Sequence, residues 1–305
     1  MRERFPTRRD FLALGAAFAA LAPSTAPAAP GPEHRRIPST GEPIPAVGLG
    51  TWITFNVGTD PVLRDACADV MAAFFAAGGR MIDSSPMYGS SQAVVGYGLG
   101  REGRPDRFVA ADKVWTSSGT DGPGQIEESL ANWGVPRFEL LQVHNLLAWE
   151  AHLPMLREMK AAGLVTYIGV TTSHGRRHDL LEQVMRQWPL DFVQLTYNVL
   201  DREAEHRLLP LAQDRGIAVI VNRPFRQGAL TERLKAHRLP GWAADVGATT
   251  WAQLILKFIL SHPAVTTVIP ATTRPDHARE NIAAANGLLP DAALRERIAG
   301  HIRQL

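Results

Sequence analysis

Residues 60–83 read DPVLRDACADVMAAFFAAGGRMID, and two structural periods follow one another in this stretch. Asp60 can cap a helix, Pro61 suits its first turn, Val62, Ala66, Val70 and Phe74 recur every four residues, and Gly78 can stop it. The short apolar run RMID at 80–83 then reads as a strand. The same alternation continues along the chain. Strand-like runs stand at 47–52 (VGLGTW), 80–83 (RMID), 107–113 (RFVAADK), 139–144 (ELLQVH), 166–171 (TYIGVT), 191–197 (DFVQLTY), 217–222 (IAVIVN) and 266–270 (TTVIP). Helical patterns fill 60–79, 122–133, 150–162, 176–187, 202–215, 247–261 and 275–286. Eight strands alternating with helices over about 250 residues predict an α/β fold of the (β/α)8 TIM-barrel type. An open dinucleotide-binding sheet fits less well, because GLGTW contains Gly-x-Gly without the rest of the Gly-rich fingerprint after the first strand.

The 305 residues, 45% of them hydrophobic, suffice for one large globular domain. The net charge of +2 is concentrated at the N-terminus, where Arg2, Arg4, Arg8 and Arg9 outnumber Glu3 and Asp10. Removing those four bases from 32 and those two acids from 30 leaves 28 of each, so no basic stripe argues for nucleic acid. The single cysteine, Cys67, excludes an intramolecular disulfide and reads as a buried, inert thiol.

The first 28 residues follow the grammar of a signal peptide: charged residues, an apolar run over 11–22, then Ala26-Pro27-Ala28. Twelve residues make about 18 Å of helix, too short for ~30 Å of hydrocarbon. Arg8-Arg9 followed by Asp10-Phe11-Leu12 resembles a bacterial twin-arginine signal, which implies the export machinery as a partner, a periplasmic or exported location, and no stable membrane insertion once the signal is removed. A Sec signal or an uncleaved anchor is the other reading. Residues 29–36 read as a linker and 37–305 as the barrel.

In such a barrel, chemistry sits at the C-terminal strand ends and in the loops after them. Asp83 ends the second run, Tyr88 lies in the Ser/Pro/Gly turn that follows, Lys113 ends the third run, and His144 ends the fourth. Taken singly, each has a plainer reading: a turn cap, a turn aromatic, a solvated strand end, a core histidine. Their convergence on one rim argues for chemistry. Lysine is rare in this arginine-using chain, and a compact ammonium beside a phenol is expected to lower the phenol's pKa.

IDSSPMYG, VAADK and LLQVHN, in that order, resemble the aldo-keto reductases over 35–290. The resemblance implies NADPH-dependent reduction of a small-molecule carbonyl, with NADH possible and no metal needed. Tyr88 would donate the proton, Lys113 would lower its pKa near ~10, Asp83 would hold Lys113, and His144 would orient the carbonyl oxygen. Thr172, Ser173 and Gln194 match the carboxamide-binding positions, with Thr172-Ser173 where the family usually has Ser-Asn. Asn222 stands where an aromatic usually stacks on the nicotinamide. Arg223, Pro224, Phe225, Arg226 and Gly228 match the pyrophosphate loop, and Thr272, Arg274, His277, Glu280 and Asn281 the adenosine-phosphate segment. Arg274 favours NADPH, whereas Ala271 and His277 replace cations common there.

Trp52 and Trp115, after the first and third strands, are candidate walls of an open substrate pocket. Two readings of other classes remain: a Schiff-base aldolase using Lys113, and a nucleotide-binding sensor subunit with little turnover.

Overall fold

The computed structural model describes residues 34–305. The signal and most of the linker lie outside these residues, but His34–Arg36 form a strand, β1, which pairs antiparallel with β2 (Pro43–Pro45). The linker reading therefore ran too far.

Eight parallel strands follow: β3 (Leu49–Gly50), β4 (Met81–Asp83), β5 (Val109–Val114), β6 (Leu140–Val143), β7 (Tyr167–Thr171), β8 (Phe192–Thr196), β9 (Ala218–Asn222) and β10 (Val265–Val268). Each is hydrogen-bonded to its neighbour in chain order. A parallel bridge between Val47 and Val268 brings the last strand back to the first. There the Val268 N–H donates to Ala46 O and the Gly48 N–H to Val268 O, both at 2.9 Å. All eight strands stand where the alternation of the sequence puts them.

The β1–β2 hairpin packs at the N-terminal end of the barrel. Ile37 and Ile44 are buried with Met81, Leu140, Tyr167 and Phe192, of which each of the last four begins its strand. The Tyr167 hydroxyl donates to Glu42 at 2.5 Å and lies 3.1 Å from Thr40 Oγ1, tying the hairpin to β7. With that end filled by apolar side chains, the opposite end of the barrel is left for polar ones.

The helices are α1 (Pro61–Ala76), α2 (Ser91–Glu102), α3 (Gly122–Trp133), α4 (Trp149–Ala161), α5 (His178–Gln187), α6 (Leu208–Arg215), α7 (Ala229–Leu234), α8 (Trp251–Leu260), α9 (Pro275–Ala283) and α10 (Ala292–Gln304). Asp60 caps α1 as expected, accepting from the Val62 and Leu63 N–H groups. The expected apolar face of α1 is only half right: Val70 and Phe74 are buried, whereas Val62 and Ala66 are exposed. The inward stripe is Cys67, Val70, Met71 and Phe74, at the spacing of an amphipathic helix.

Helix α2 escapes a reading by propensity because it contains Gly96, Gly98 and Gly100, each costly in a helix. Two of these glycines allow close packing. A Cβ at Gly96 would lie 2.0 Å from the Asn132 carbonyl oxygen of α3, and one at Gly98 would lie 2.4 Å from Met71 Sδ of α1. Helix α6 begins at Leu208 rather than 202, after a separate 3-10 turn over Glu203–Glu205. No helix of the described residues is long and apolar enough to cross a membrane.

Candidate active site

Asp83 is the last residue of β4, Lys113 lies near the end of β5, and His144 directly follows β6. Because alternate residues of a strand share a face, Ala111 and Lys113 point into the barrel and Asp112 points out. There the Asp112 carboxylate accepts from Gln92 Nε2 of α2 at 2.7 Å, and the same amide bonds Ser129 of α3 at 2.9 Å. Burial pushes the Asp112 carboxyl up to about 7, against the pull of Lys113.

The inward Lys113 is 1% exposed. Its ammonium donates to Asp83 Oδ2 and to Ser84 O, both at 2.6 Å. Burial is the largest single influence and works to discharge it, but Asp83, Tyr88 and Asp112 together outweigh burial and hold Lys113 above the ordinary lysine pKa. Asp83 is secured on its other oxygen by Gln194 Nε2 at 2.9 Å. Lys113 is thus a fixed cation behind the cavity wall, not a nucleophile, which removes the basis for a Schiff-base reaction.

Tyr88 closes a 3-10 turn, Pro86–Tyr88, with Ser85 as its cap. The Lys113 ammonium lies 5.1 Å from the Tyr88 ring centroid, and the His144 ring meets Tyr88 edge-on with centroids 5.5 Å apart. Beyond the turn, Gly89 has φ +60, and a Cβ there would lie 2.3 Å from Asn56 Oδ1. That oxygen accepts the Ser90 N–H at 2.9 Å and so binds the Tyr88 turn to the loop after β3. Lys113 pulls the phenol pKa down, as expected, but burial outweighs it and the net position is up, at about 12. Tyr88 is therefore firmly protonated, as a proton donor must be. Burial and Lys113 hold His144 well below the ordinary histidine pKa, hence neutral.

A cavity of about 580 Å³ opens beside these groups and is bordered by Asp83, Tyr88 and His144. Of the residues expected to hold a cofactor, Thr172, Ser173, Gln194, Asn222, Arg223, Pro224, Phe225, Gly228, Thr272, His277, Glu280 and Asn281 border the same cavity. Asn222, in place of an aromatic, joins a polar chain instead: its Nδ2 donates to Thr172 O at 2.9 Å and reaches Gln194 Oε1 at 3.3 Å, while its Oδ1 accepts from Thr196 at 2.7 Å. Arg223 has φ +53, and its Nε and Nη1 are buried without a hydrogen-bond partner among the described residues. Burial lowers its pKa.

Besides Lys113, which lies behind the wall, three expected site residues are not among those bordering the cavity. Arg226 is drawn to Asp201 at 3.2 Å, and Arg274 forms an exposed pair with Asp276 at 2.6 Å. Trp115 is 40% exposed, because Gln125 clamps its backbone N–H and carbonyl and turns the chain outward. Trp52 does border the cavity, with its ring centroid 6.5 Å from that of Tyr88.

Ile53, Met87, Lys235 and Trp251 border it too, unanticipated from the sequence. Lys235 and Trp251 sit on segments after β9 that carry no strand-end signature. Ile53 is the centre of a strained three-residue turn, φ +66, closed by the Thr54 N–H donating to Trp52 O at 2.8 Å. A β-branched residue is unusual there, and it leaves an apolar side chain, 59% exposed, at the mouth.

The cavity volume suits an organic ligand, and the unpartnered buried Arg223 nitrogens call for an anion. Both fit a dinucleotide with its pyrophosphate. Fold and rim together define a barrel that gathers a phenol, a neutral imidazole and a buried cation at the C-terminal strand ends, beside a cavity suited to a nucleotide. The chain belongs to the aldo/keto reductase family, whose model matches residues 46–297, and it is an NAD(P)H-dependent oxidoreductase of carbonyl compounds. It is 27% identical to the NADH-specific methylglyoxal reductase of Escherichia coli over 81% of this chain and 91% of that one. It is 24% identical to the L-glyceraldehyde 3-phosphate reductase of the same organism, over 84% and 88%. Among solved structures, an aldo/keto reductase from Klebsiella pneumoniae in complex with NADP and acetate superposes with a TM-score of 0.71 at 24% identity, covering 85% of this chain and 93% of that one.

Two outcomes follow from this geometry. A general acid must be protonated, so activity is present below the Tyr88 pKa of about 12 and lost above it. The pH profile of kcat/KM for reduction is therefore expected to be flat from about pH 6 to 9; a Tyr88-dependent inflection inside that range would contradict it. Arg223→Met is expected to weaken NADPH and NADH alike, about tenfold or more, as befits a lost charge-assisted phosphate contact. Tryptophan fluorescence titration measures this.

Proposed function

We propose that this protein reduces small aldehydes or ketones to alcohols with Tyr88 as proton donor, and that it does so after export in the folded state. The observation that carries the chemistry is the buried Lys113–Asp83 pair lying 5.1 Å behind the Tyr88 ring. NAD(P)H, when bound, supplies the hydride to the carbonyl carbon. The rest falls to this chain. His144, uncharged, offers an N–H to the carbonyl oxygen and orients it. As negative charge grows on that oxygen, Tyr88 transfers its proton to it, and the Lys113 cation stabilises the phenolate left behind. Asp83 keeps Lys113 charged and in place. The apolar mouth, formed by Trp52, Ile53 and Met87, favours a substrate with a hydrocarbon group beside the carbonyl.

For the cofactor, Arg223 supports pyrophosphate binding. NADPH is favoured if Arg274 leaves Asp276 for a 2′-phosphate; both partners are exposed, so that exchange costs little. The polar ends of Glu280 and Thr250, bonded to each other at the cavity wall, are compatible with a free ribose hydroxyl and hence with NADH. Titration with both nucleotides distinguishes them. A sensor with little turnover would bind nucleotide tightly and oxidise none across a carbonyl panel.

Tyr88→Phe keeps the ring and removes the proton. It is expected to lower the rate by at least ~100-fold, the low end for losing a general acid, with cofactor affinity nearly unchanged. A near wild-type rate in this variant would make Tyr88 a packing residue.

Export is supported by Arg8-Arg9 with Asp10-Phe11-Leu12, by the apolar run at 11–22 and by Ala26-Pro27-Ala28. A twin-arginine substrate folds in the cytoplasm, where NAD(P)H is at hand, so the protein would cross with its nucleotide bound. Arg8→Lys/Arg9→Lys is expected to leave a folded, unprocessed protein in the cytoplasm. Cell fractionation with mass spectrometry of the N-terminus checks it: cleavage after about Ala28 in the periplasmic fraction supports export, and intact Met1 in the wild-type soluble cytoplasm contradicts it.

A further inference from the structure

Ser85 belongs to the same turn as Tyr88 and is completely buried. Its Oγ lies 2.7 Å from His144 Nδ1 and also accepts the Met87 backbone N–H at 3.2 Å. Two proton arrangements are compatible with these distances. If Nδ1 carried the imidazole proton, the serine oxygen would accept twice and its own hydrogen would have nowhere to go, since among the described residues it has no third partner. Stranding a buried donor is unfavourable. If Ser85 instead donates to Nδ1, every group in the turn is satisfied. The imidazole proton then stands on Nε2, which has no hydrogen-bond partner among the described residues, on a residue that borders the cavity.

We propose that Ser85 is a positioning residue: by donating to Nδ1 it fixes His144 in the Nε2–H tautomer and couples the group that orients the carbonyl to the turn that carries the proton donor. The proposal rests on the reading of His144 as the orienting group. A neutral imidazole has one proton, and the hydrogen bond made by one ring nitrogen decides which nitrogen carries it. In the other tautomer, Nε2 would present a lone pair to the carbonyl oxygen and repel it. The coupling is also geometric. Ser85 Oγ caps the 3-10 turn through Met87, so the bond that sets the tautomer also sets the start of the segment that ends at Tyr88. His144 is held off protonation by burial and by Lys113, so an imidazolium, with protons on both nitrogens, does not compete.

Nitrogen-15 NMR of the full-length protein reads the two ring nitrogens separately, with His144 assigned by the signals lost in His144→Gln. In the wild type near neutral pH, Nε2 is expected to be protonated and Nδ1 not. Ser85→Ala should move protonation toward Nδ1 and lower kcat about tenfold, which is the ~1.4 kcal/mol scale of one such hydrogen bond, with the dissociation constant for NAD(P)H unchanged by tryptophan fluorescence. Ser85→Thr keeps the hydroxyl and should restore both. A wild-type spectrum with the proton on Nδ1 overturns the proposal even if Ser85→Ala does not fold, and so does a folded Ser85→Ala with an unchanged tautomer. Failure of the reductase reading would show separately, as NAD(P)H that no carbonyl oxidises, in a protein whose imidazole spectrum still answers the tautomer question.

Discussion

A lysine ammonium sealed inside a barrel is the constraint on which the rest of this site depends. Removing two charges from water is costly, and a buried pair persists only when its remaining hydrogen-bond capacity is met. Here Lys113 spends its donors on Asp83 and the Ser84 carbonyl, and Asp83 spends its second oxygen on Gln194. These partners come from β4, β5 and β8, so the pair can form only if the strands hold their registers. Gln194 in turn receives Asn222 of β9. Strand pairing, polar chain and proton donor are therefore one connected arrangement, and the charge at its centre faces the ring of Tyr88.

The geometry changes the account of how such a phenol works. A cation nearby suggests a phenol made more acidic at rest, yet burial outweighs Lys113 and leaves Tyr88 protonated. In the proposed reaction the cation matters most when the proton has gone, because it then stabilises an anion that burial would otherwise penalise. An interaction that is stronger late in the reaction than early is the kind that accelerates it. In the proposed reaction, neutral His144 and protonated Tyr88 both donate to the developing oxyanion.

The strand-end places of Asp83, Lys113 and His144 were legible from strand period and barrel topology, whereas the roles given to them came from the resemblance of IDSSPMYG, VAADK and LLQVHN to the aldo-keto reductases. The loops were less legible because their side chains are claimed by local partners that no pattern announces. Asp276 holds Arg274, Asp201 holds Arg226, and Gln125 turns Trp115 outward. Helix α2 was hidden by glycines whose value appears only when Asn132 and Met71 are packed against them. Val62 and Ala66 fit a helical period but lie on the exposed side of α1, off the buried stripe of Cys67, Val70, Met71 and Phe74. Ser85 stood in plain view beside Asp83, and nothing short of its distance to His144 distinguishes it from an ordinary turn serine.

The most direct test of the central claim is the single-turnover rate of NAD(P)H oxidation by Lys113→Met with a small aldehyde, in protein shown to be folded and to bind nucleotide as the wild type does. Methionine fills much of the space of the lysine stem and removes the charge together with its hydrogen bonds to Asp83 and the Ser84 carbonyl. If the buried cation stabilises the phenolate as the proton leaves Tyr88, the rate falls by at least ~100-fold with nucleotide affinity unchanged. A folded variant that transfers hydride at close to the wild-type rate would show that the Lys113–Asp83 pair serves the barrel and not the reaction.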